Sequence, residues 1–225
     1  RSQIQIAPYY KLSLGALSSD PAHALGALAD PGTIVSDVNR RADHVGAVAH
    51  YSLQAGRHLI KAGAQLNQLQ GATDYTQYVR SDADPNGGIA DSVSGVDQTR
   101  ALLVGAYLQD RFETGRFGLH YGVRFDLQRV MLSDGSASNQ WGISPRLGAS
   151  FAFVKDLIGR VFVGVLFQPP PPLELGNAAR VLGVIPATES VPYDIQAETA
   201  LYGELGLSAR LWKKLKLSAT GWGKR

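Results

Sequence analysis

The longest regular pattern in the sequence is a strict alternation of apolar and polar residues that begins at Phe117. Every second residue over 117–127 is apolar, and the residues between them are glycine, histidine, arginine and aspartate. A period of two residues predicts a β-strand with one apolar face. The alternation lasts for about twelve residues, and a strand that crosses a membrane at a tilt needs ~9–11. We therefore predict a membrane-spanning strand.

The segment just before it, residues 102–112, is the predicted partner of this strand. Its even positions are apolar from Leu102 to Leu108, and the row is interrupted at Asp110, close to a turn at residues 114–116. At that position we expect the charge to lie at the water interface. The two segments and the tight turn between them predict a transmembrane β-hairpin.

Alternating segments of the same kind recur along the whole chain. They cover residues 2–14, 43–53, 58–70, 102–112, 117–128, 140–154, 160–168, 197–211 and 215–224. Long connections, such as residues 15–42 and 71–97, alternate with short ones. Because outer-membrane barrels have short periplasmic turns and longer extracellular loops, we predict an all-β fold, an antiparallel transmembrane β-barrel. Bacterial barrels have even strand numbers and leave no edge unpaired in lipid, so we expect about 9–10 strands of a larger up-and-down barrel.

Composition agrees with a barrel and disfavours other classes of protein. Charged residues make up 18% of the chain, 25 residues are glycine, and no apolar run is long enough for a membrane helix. The absence of cysteine excludes a disulfide framework and a thiolate metal site. The net charge of +3 comes from scattered basic residues, which gives little support to nucleic-acid binding. No nucleotide-binding or hydrolase motif is present, so we predict no enzyme and no cofactor.

The polar positions of the strands form a candidate functional surface that faces the barrel lumen. They are Lys61, Gln65, Asn67, Gln109, Arg111, His120, Arg124, Asp126, Arg146, Glu198 and Glu204. Barrel interiors are polar whether or not they bind a ligand. Two interpretations therefore stay open: ion pairs within the wall, such as Arg124 or Arg146 with an acidic neighbour, and contacts with a plug or a passing solute.

Aromatic residues fall beside the short turns and predict one aromatic girdle at a membrane interface. They are Tyr51, Phe112, Phe117, Phe151, Phe153 and Trp212.

Metal binding has weak support in the sequence. Asp82, Asp84, Asn86 and Gly87 mimic the first half of a calcium loop, but Val93 occupies the position of its bidentate glutamate. We interpret residues 82–88 as a glycine-rich surface turn, with calcium binding as the alternative. The five histidines lack the spacing of a zinc site, and we predict no metal centre from them.

Several short motifs stand in an order that resembles the later barrel strands of TonB-dependent outer-membrane receptors. They are HLIKAG at 58–63, Asp110 followed by GVRFD at 122–126, SPRLG at 144–148, FQPP at 167–170 and YGELG at 202–206. The resemblance covers residues 43–225 and rests on the order of the motifs. One departure is Ala197, which stands where the family often has proline.

The resemblance implies a location in the bacterial outer membrane and a role in transport. It implies outer-membrane lipid, the TonB protein and a plug domain as partners. It also implies a scarce solute, siderophore-like or another nutrient, that is imported by TonB-coupled active transport. We expect residues 1–225 to be part of the barrel domain of such a receptor, without its plug domain and TonB box. Two alternatives remain: a passive pore or structural barrel without a plug, and a soluble all-β binding protein.

Overall fold

The computed structural model describes residues 1–18, 35–80, 89–131, 135, 137–172, 196–211 and 215–225. Within these residues the chain forms one antiparallel sheet of nine strands in which every strand pairs with the next one along the sequence. The strands are β1 (Ser2–Leu17), β2 (Val35–Ala55), β3 (His58–Arg80), β4 (Ile89–Thr114), β5 (Phe117–Met131), β6 (Ala137–Val154), β7 (Leu157–Gln168), β8 (Glu198–Leu211) and β9 (Leu215–Lys224). The predicted all-β, up-and-down fold is confirmed.

The predicted hairpin turns join β2 to β3 and β4 to β5. Each contains one glycine with positive φ, +58° at Gly56 and +53° at Gly115. This left-handed conformation strains residues with a Cβ atom but not glycine. A glycine therefore permits the chain to reverse over two residues at each of these turns.

The largest extensions beyond the predicted strands are those of β2, β3 and β4. Residues 15–42 and 71–97 were expected to be long connections, but β2 begins at Val35, β3 continues to Arg80 and β4 begins at Ile89. Pairing continues through these extensions, with Asp37 opposite Thr76 and Asp97 opposite Thr73. Backbone hydrogen bonds stabilise these extensions, in which polar and apolar residues are mixed, so the strict apolar alternation ends before the strand does.

The sheet has two faces of different chemistry. The apolar face carries Val123 and Leu205, and these side chains are 43% and 67% exposed. On β5 this face is apolar over residues 117–127, and the next residue on it is Arg129. At ~3.4 Å per residue and a tilt of ~40°, this stretch of ~11 residues rises about 28 Å, close to the ~25 Å apolar band of outer-membrane barrels.

Polar residues end the apolar face on the neighbouring strands as well, and they form a polar boundary across the sheet. Asp43 lies opposite Gln70, which lies opposite Arg100, while Arg129 lies opposite Asn139. Beside the boundary, the Arg41 guanidinium donates a hydrogen bond of 2.9 Å to the Asp43 carboxylate. The Tyr10 hydroxyl donates one of 2.5 Å to the same carboxylate. The Arg41 guanidinium, followed by the Tyr10 hydroxyl, lowers the pKa of the Asp43 carboxyl.

The most buried side chains lie on the opposite face of the sheet, which we call the polar face, at the end away from the short turns. Leu69, Ala101 and Val130 pack together there, and Val130 is fully buried. Nearby, the Gln128 amide donates a hydrogen bond of 2.7 Å to the carbonyl oxygen of Pro170, just after β7. The start of the proline-rich segment is therefore fixed to the polar face.

Within the described residues the sheet is a partial barrel and does not close. β1 pairs only with β2, and β9 pairs only with β8. The described part of the chain contains no helix long and apolar enough to cross a bilayer.

Candidate functional site

The strand register places all the predicted polar residues on the polar face. Lys61 lies opposite Gln109, and His120 lies opposite Arg111. Residues directly opposite in an antiparallel pair project from the same side of a sheet, so the face can be followed from strand to strand. The residues placed on it are Lys61, Gln65, Asn67, Gln109, Arg111, His120, Arg124, Asp126, Arg146, Glu198 and Glu204.

Five of these residues line a cavity of about 300 Å³ near the turn between β4 and β5, which we call the basic cavity. From the polar face it is lined by Lys61, Gln109, Arg111, His120 and Arg146, with Leu59 and Phe162 as apolar walls. Asp110 and Tyr121, whose side chains project from the other face of the sheet, complete the lining. The lining comes from five consecutive strands, β3 to β7.

Gly122 on β5 lies between two residues that line the basic cavity. It lies opposite both Gln109 and Arg146. A Cβ atom added at Gly122 would lie 2.7 Å from Gln109 Cβ and 2.8 Å from the Leu108 carbonyl oxygen. A side chain at this position would therefore clash with β4, and the close approach of β4 and β5 requires glycine here.

The charges of the basic cavity are only partly balanced. Arg111 forms an ion pair with Glu113, and both side chains are more than half exposed. Within the described part of the chain, neither Lys61 nor Arg146 has a carboxylate within 4.0 Å, and His120 has no hydrogen-bond partner. The cavity therefore carries uncompensated positive charge.

A second charged group lies on the polar face, further from the turn. The Arg124 guanidinium donates to both carboxylate oxygens of Asp126, with Nε at 2.8 Å and Nη2 at 2.6 Å. These side chains are 29% and 19% exposed. Bidentate pairs of this kind are among the stronger hydrogen-bonded contacts in proteins. The structure thus gives Arg124 an acidic partner on its own strand, while Arg146 has none among the described residues.

The remaining predicted residues are separated from the basic cavity. Glu204 accepts a hydrogen bond of 2.8 Å from the Tyr202 hydroxyl, and Glu198 pairs with Lys224. Asn67 Oδ1 is buried and finds no hydrogen-bond donor among the described residues.

Aromatic residues of the polar face were not among the predicted site residues. The Tyr107 ring lies over Gly63 on β3, and its hydroxyl is 3.0 Å from His50 Nδ1 on β2. On β7 to β9, the Phe162 and Tyr202 rings have centroids 6.0 Å apart, and Trp222 stacks on Tyr202 at 6.3 Å. Their sequence positions have the same parity as the polar residues, which is the signal that could have identified them.

The predicted girdle residues that the structure describes lie on the apolar face. Phe117 is directly opposite Phe151, whose ring contacts Phe153 edge-on at 5.2 Å. Phe112 lies two residues before the end of β4, whereas Tyr51 lies four residues before the end of β2. Trp212 is outside the described residues.

Asp110 also projects from the apolar face, near the turn. Its Oδ2 atom is 2.6 Å from His58 Nδ1 and accepts a hydrogen bond of 2.9 Å from the Tyr121 hydroxyl. The carboxyl group is only 11% exposed, so its contacts are to side chains on the two adjacent strands.

The calcium alternative concerned residues 82–88, which lie outside the described residues. Within the described ranges, histidine, aspartate and glutamate form no group of three or more that could hold a metal ion.

The family model described as "TonB dependent receptor-like, beta-barrel" matches residues 4–225. A comparison with curated proteins finds no match.

Solved structures of two transporters and an uptake receptor share the fold. The unliganded ferric citrate transporter FecA is 15% identical, with a TM-score of 0.64 over 98% of this chain and 31% of that one. The copper transporter OprC is 15% identical, with a TM-score of 0.67 over 98% of this chain and 35% of that one. The ferric yersiniabactin uptake receptor FyuA from Yersinia pestis is 14% identical, with a TM-score of 0.57 over 85% of this chain and 29% of that one. This chain thus spans about a third of the length of each.

Proposed function

The chain belongs to the TonB-dependent receptor-like β-barrel family, and from that premise we propose that it forms part of the barrel wall of an outer-membrane receptor. In this proposal the apolar face contacts the lipid of the bacterial outer membrane, and the polar face lines the lumen. The whole protein imports a scarce solute by active transport coupled to TonB.

The observation that carries the proposal is the difference between the two faces of the sheet. The apolar face has a band of membrane-spanning height that ends at the polar boundary, and its large side chains are exposed. In water such an exposed apolar surface would promote aggregation, whereas in a membrane the hydrocarbon chains of the lipids cover it. This argues against the alternative of a soluble binding protein.

The polar face supports the proposal that this side of the sheet lines the barrel lumen. It presents charged and aromatic side chains on an open sheet, and lipid cannot solvate Lys61 or Arg146. We propose that further strands close the barrel, and that residues 1–225 belong to its wall alone, with a plug domain and TonB box supplied by another part of the protein.

The lengths of the connections support one orientation of the barrel in the membrane. Short turns join β2 to β3, β4 to β5 and β6 to β7, and short turns are periplasmic in outer-membrane barrels. We propose that Phe112, Phe117, Phe151 and Phe153 form the periplasmic girdle. The long strand extensions at the other end would then project outside the cell.

The names of the structural relatives suggest the class of solute. The structural relatives include a ferric citrate transporter, a ferric yersiniabactin uptake receptor and a copper transporter. These relatives support a metal-containing solute, siderophore-like, as the first class to test.

The test is uptake by cells that carry or lack the whole gene. Cells are offered iron-55 bound to a panel of siderophores and copper-64 as a salt, with and without the tonB gene. We expect gene-dependent uptake of at least one solute and its loss without tonB. Uptake that persists without tonB would instead identify a passive pore. Entry of a small sugar through general porins is the control and should not change.

A further inference from the structure

We propose that the basic cavity binds a carboxylate group between Lys61 and Arg146. This inference deepens the proposed function, because it gives the chemistry of a partner of the lumen surface. The carboxylate has two possible sources: an acidic side chain of a protein segment packed against the polar face, or a carboxylate of a soluble molecule in the lumen.

The strand register brings the two cations to opposite sides of one open space. Lys61, Gln109, Gly122 and Arg146 are opposed in turn on β3, β4, β5 and β6. At ~4.8 Å between neighbouring strands, the backbones of Lys61 and Arg146 are about 14 Å apart. Both side chains are long enough to converge on a group in the cavity beside Gln109, because Gly122 contributes no side chain between Gln109 and Arg146.

The chemistry of the lining selects an anion. A guanidinium can bind both oxygens of a carboxylate, and an ammonium adds a second donor. The Gln109 amide can donate a further hydrogen bond to the bound oxygens. Phe162 and Leu59 restrict water at the sides, which strengthens each of these contacts. A metal cation would be repelled by the same residues.

Among the described residues, the acids around the cavity already have partners other than Lys61 and Arg146. Glu113 pairs with Arg111, and Glu204 accepts from Tyr202 beyond the Phe162 ring. Asp110, on the other face of the sheet, is held by His58 and Tyr121. Lys61 and Arg146 therefore have no internal carboxylate among the described residues, and a carboxylate from outside this sheet fits the cavity.

The first arm of the test detects an acidic protein segment. Outer-membrane fragments that contain the full-length receptor are treated with a water-soluble carbodiimide, which joins a carboxylate to an amine only when the two are in contact. Mass spectrometry then maps the cross-links of Lys61. If the source is a protein segment, we expect an amide between Lys61 and one aspartate or glutamate outside the nine strands.

The second arm detects a soluble carboxylate. The acetylation rate of Lys61 by an amine-reactive ester is measured on the purified receptor with and without citrate. If the source is soluble, citrate should slow acetylation by about tenfold, the effect of one charge-assisted contact. Tricarballylate, which lacks the citrate hydroxyl, should protect equally well.

Variants relate either result to the cavity. Arg146→Gln should abolish the cross-link or the protection, and Arg146→Lys should restore part of it. Arg160→Gln removes an arginine of the neighbouring strand that does not line the basic cavity, and should change neither result. Folding of each variant is checked by its heat-dependent mobility on a detergent gel.

The inference would be overturned if Lys61 in the unaltered receptor neither forms a cross-link nor is protected by citrate. It would also be overturned if the cross-link or the protection remains in a folded Arg146→Gln receptor. Neither arm measures transport, so either failure leaves the uptake experiment to judge the proposed function separately.

Discussion

The Arg124 guanidinium binds the Asp126 carboxylate two residues further along the same strand, with Nη2 2.6 Å from Oδ1. Gly105 on β4 makes room for the pair, because a Cβ atom there would lie 2.8 Å from Arg124 Nη2 and 3.0 Å from Asp126 Oδ1. A residue without a side chain on one strand thus permits an ion pair on the next. The pair is part of the packing of the polar face.

Removing one partner of this pair should destabilise the barrel. Asp126→Ala leaves the partly buried Arg124 without its acceptor, and we expect a loss of about 1–2 kcal/mol in the free energy of unfolding. The measurement is urea unfolding of the whole receptor in lipid bilayers. Glu113→Ala is the control, because the Glu113 and Arg111 side chains are 58% and 54% exposed, and should cost less than about 0.5 kcal/mol. Equal losses would show that Arg124 is solvated in the lumen.

The Tyr107 ring over Gly63 gives a second prediction. In Gly63→Ala the new methyl group overlaps Tyr107 Cε1 and lies 2.9 Å from His50 Nδ1, so the Tyr107 ring must move and the contact between the two side chains is disturbed. We expect a cost of about 1–3 kcal/mol, typical of overpacking, measured by the same unfolding assay. Gly15→Ala on β1 meets no atom within 4 Å and should be neutral or slightly stabilising.

A double-mutant cycle separates this clash from a general effect of alanine in the strand. If the ring is the obstacle, Gly63→Ala should cost much less in a Tyr107→Ala background. A cost that is unchanged in that background would show that the Tyr107 ring is not the main obstacle, and would direct attention to His50 Nδ1, which is 2.9 Å from the same Cβ position.

The fold could be predicted from the sequence because side-chain alternation directly reports which face of a strand meets apolar surroundings. Phe117 and the residues after it alternate strictly, and the structure has β5 at that place. The same parity placed Lys61 and Arg146 on one face before their register was known. The turn at Gly115 followed from its position between two alternating segments.

Other features could not be predicted, for physical reasons. The extensions of β2, β3 and β4 are stabilised by backbone pairing, which leaves no trace in hydrophobicity. The contacts of Asp110 with His58 and Tyr121 depend on the register of three strands, and register is not visible in a single segment. The basic cavity likewise combines side chains of five strands, and only the register brings Lys61, Gln109 and Arg146 into one row.

The polar boundary predicts a sharp change in water access along the apolar face. The chain contains no cysteine, so single cysteines can be introduced without a background signal. In intact outer membranes, Asn139→Cys at the boundary should react readily with a water-soluble maleimide, whereas Val123→Cys within the band should react very slowly. Both should react after detergent and urea unfold the protein. Equal reactivity in membranes would mean that the apolar face is not covered by lipid.

The polar boundary also predicts how the free energy of unfolding changes when the same substitution is made at two depths in the membrane. Val123 and Val96 both lie on the apolar face, 43% and 58% exposed, but Val96 is beyond the Arg100 position of the polar boundary. An arginine at the middle of a bilayer costs a barrel about 2–4 kcal/mol, and near an interface about 0–1 kcal/mol. We therefore expect Val123→Arg to lower the free energy of unfolding in bilayers by the larger amount and Val96→Arg by the smaller. Because residue type, face and substitution are matched, depth is the main difference between the variants. Large costs for both variants would mean that lipid contacts the sheet beyond the polar boundary. Small costs for both would mean that Val123 is exposed to water.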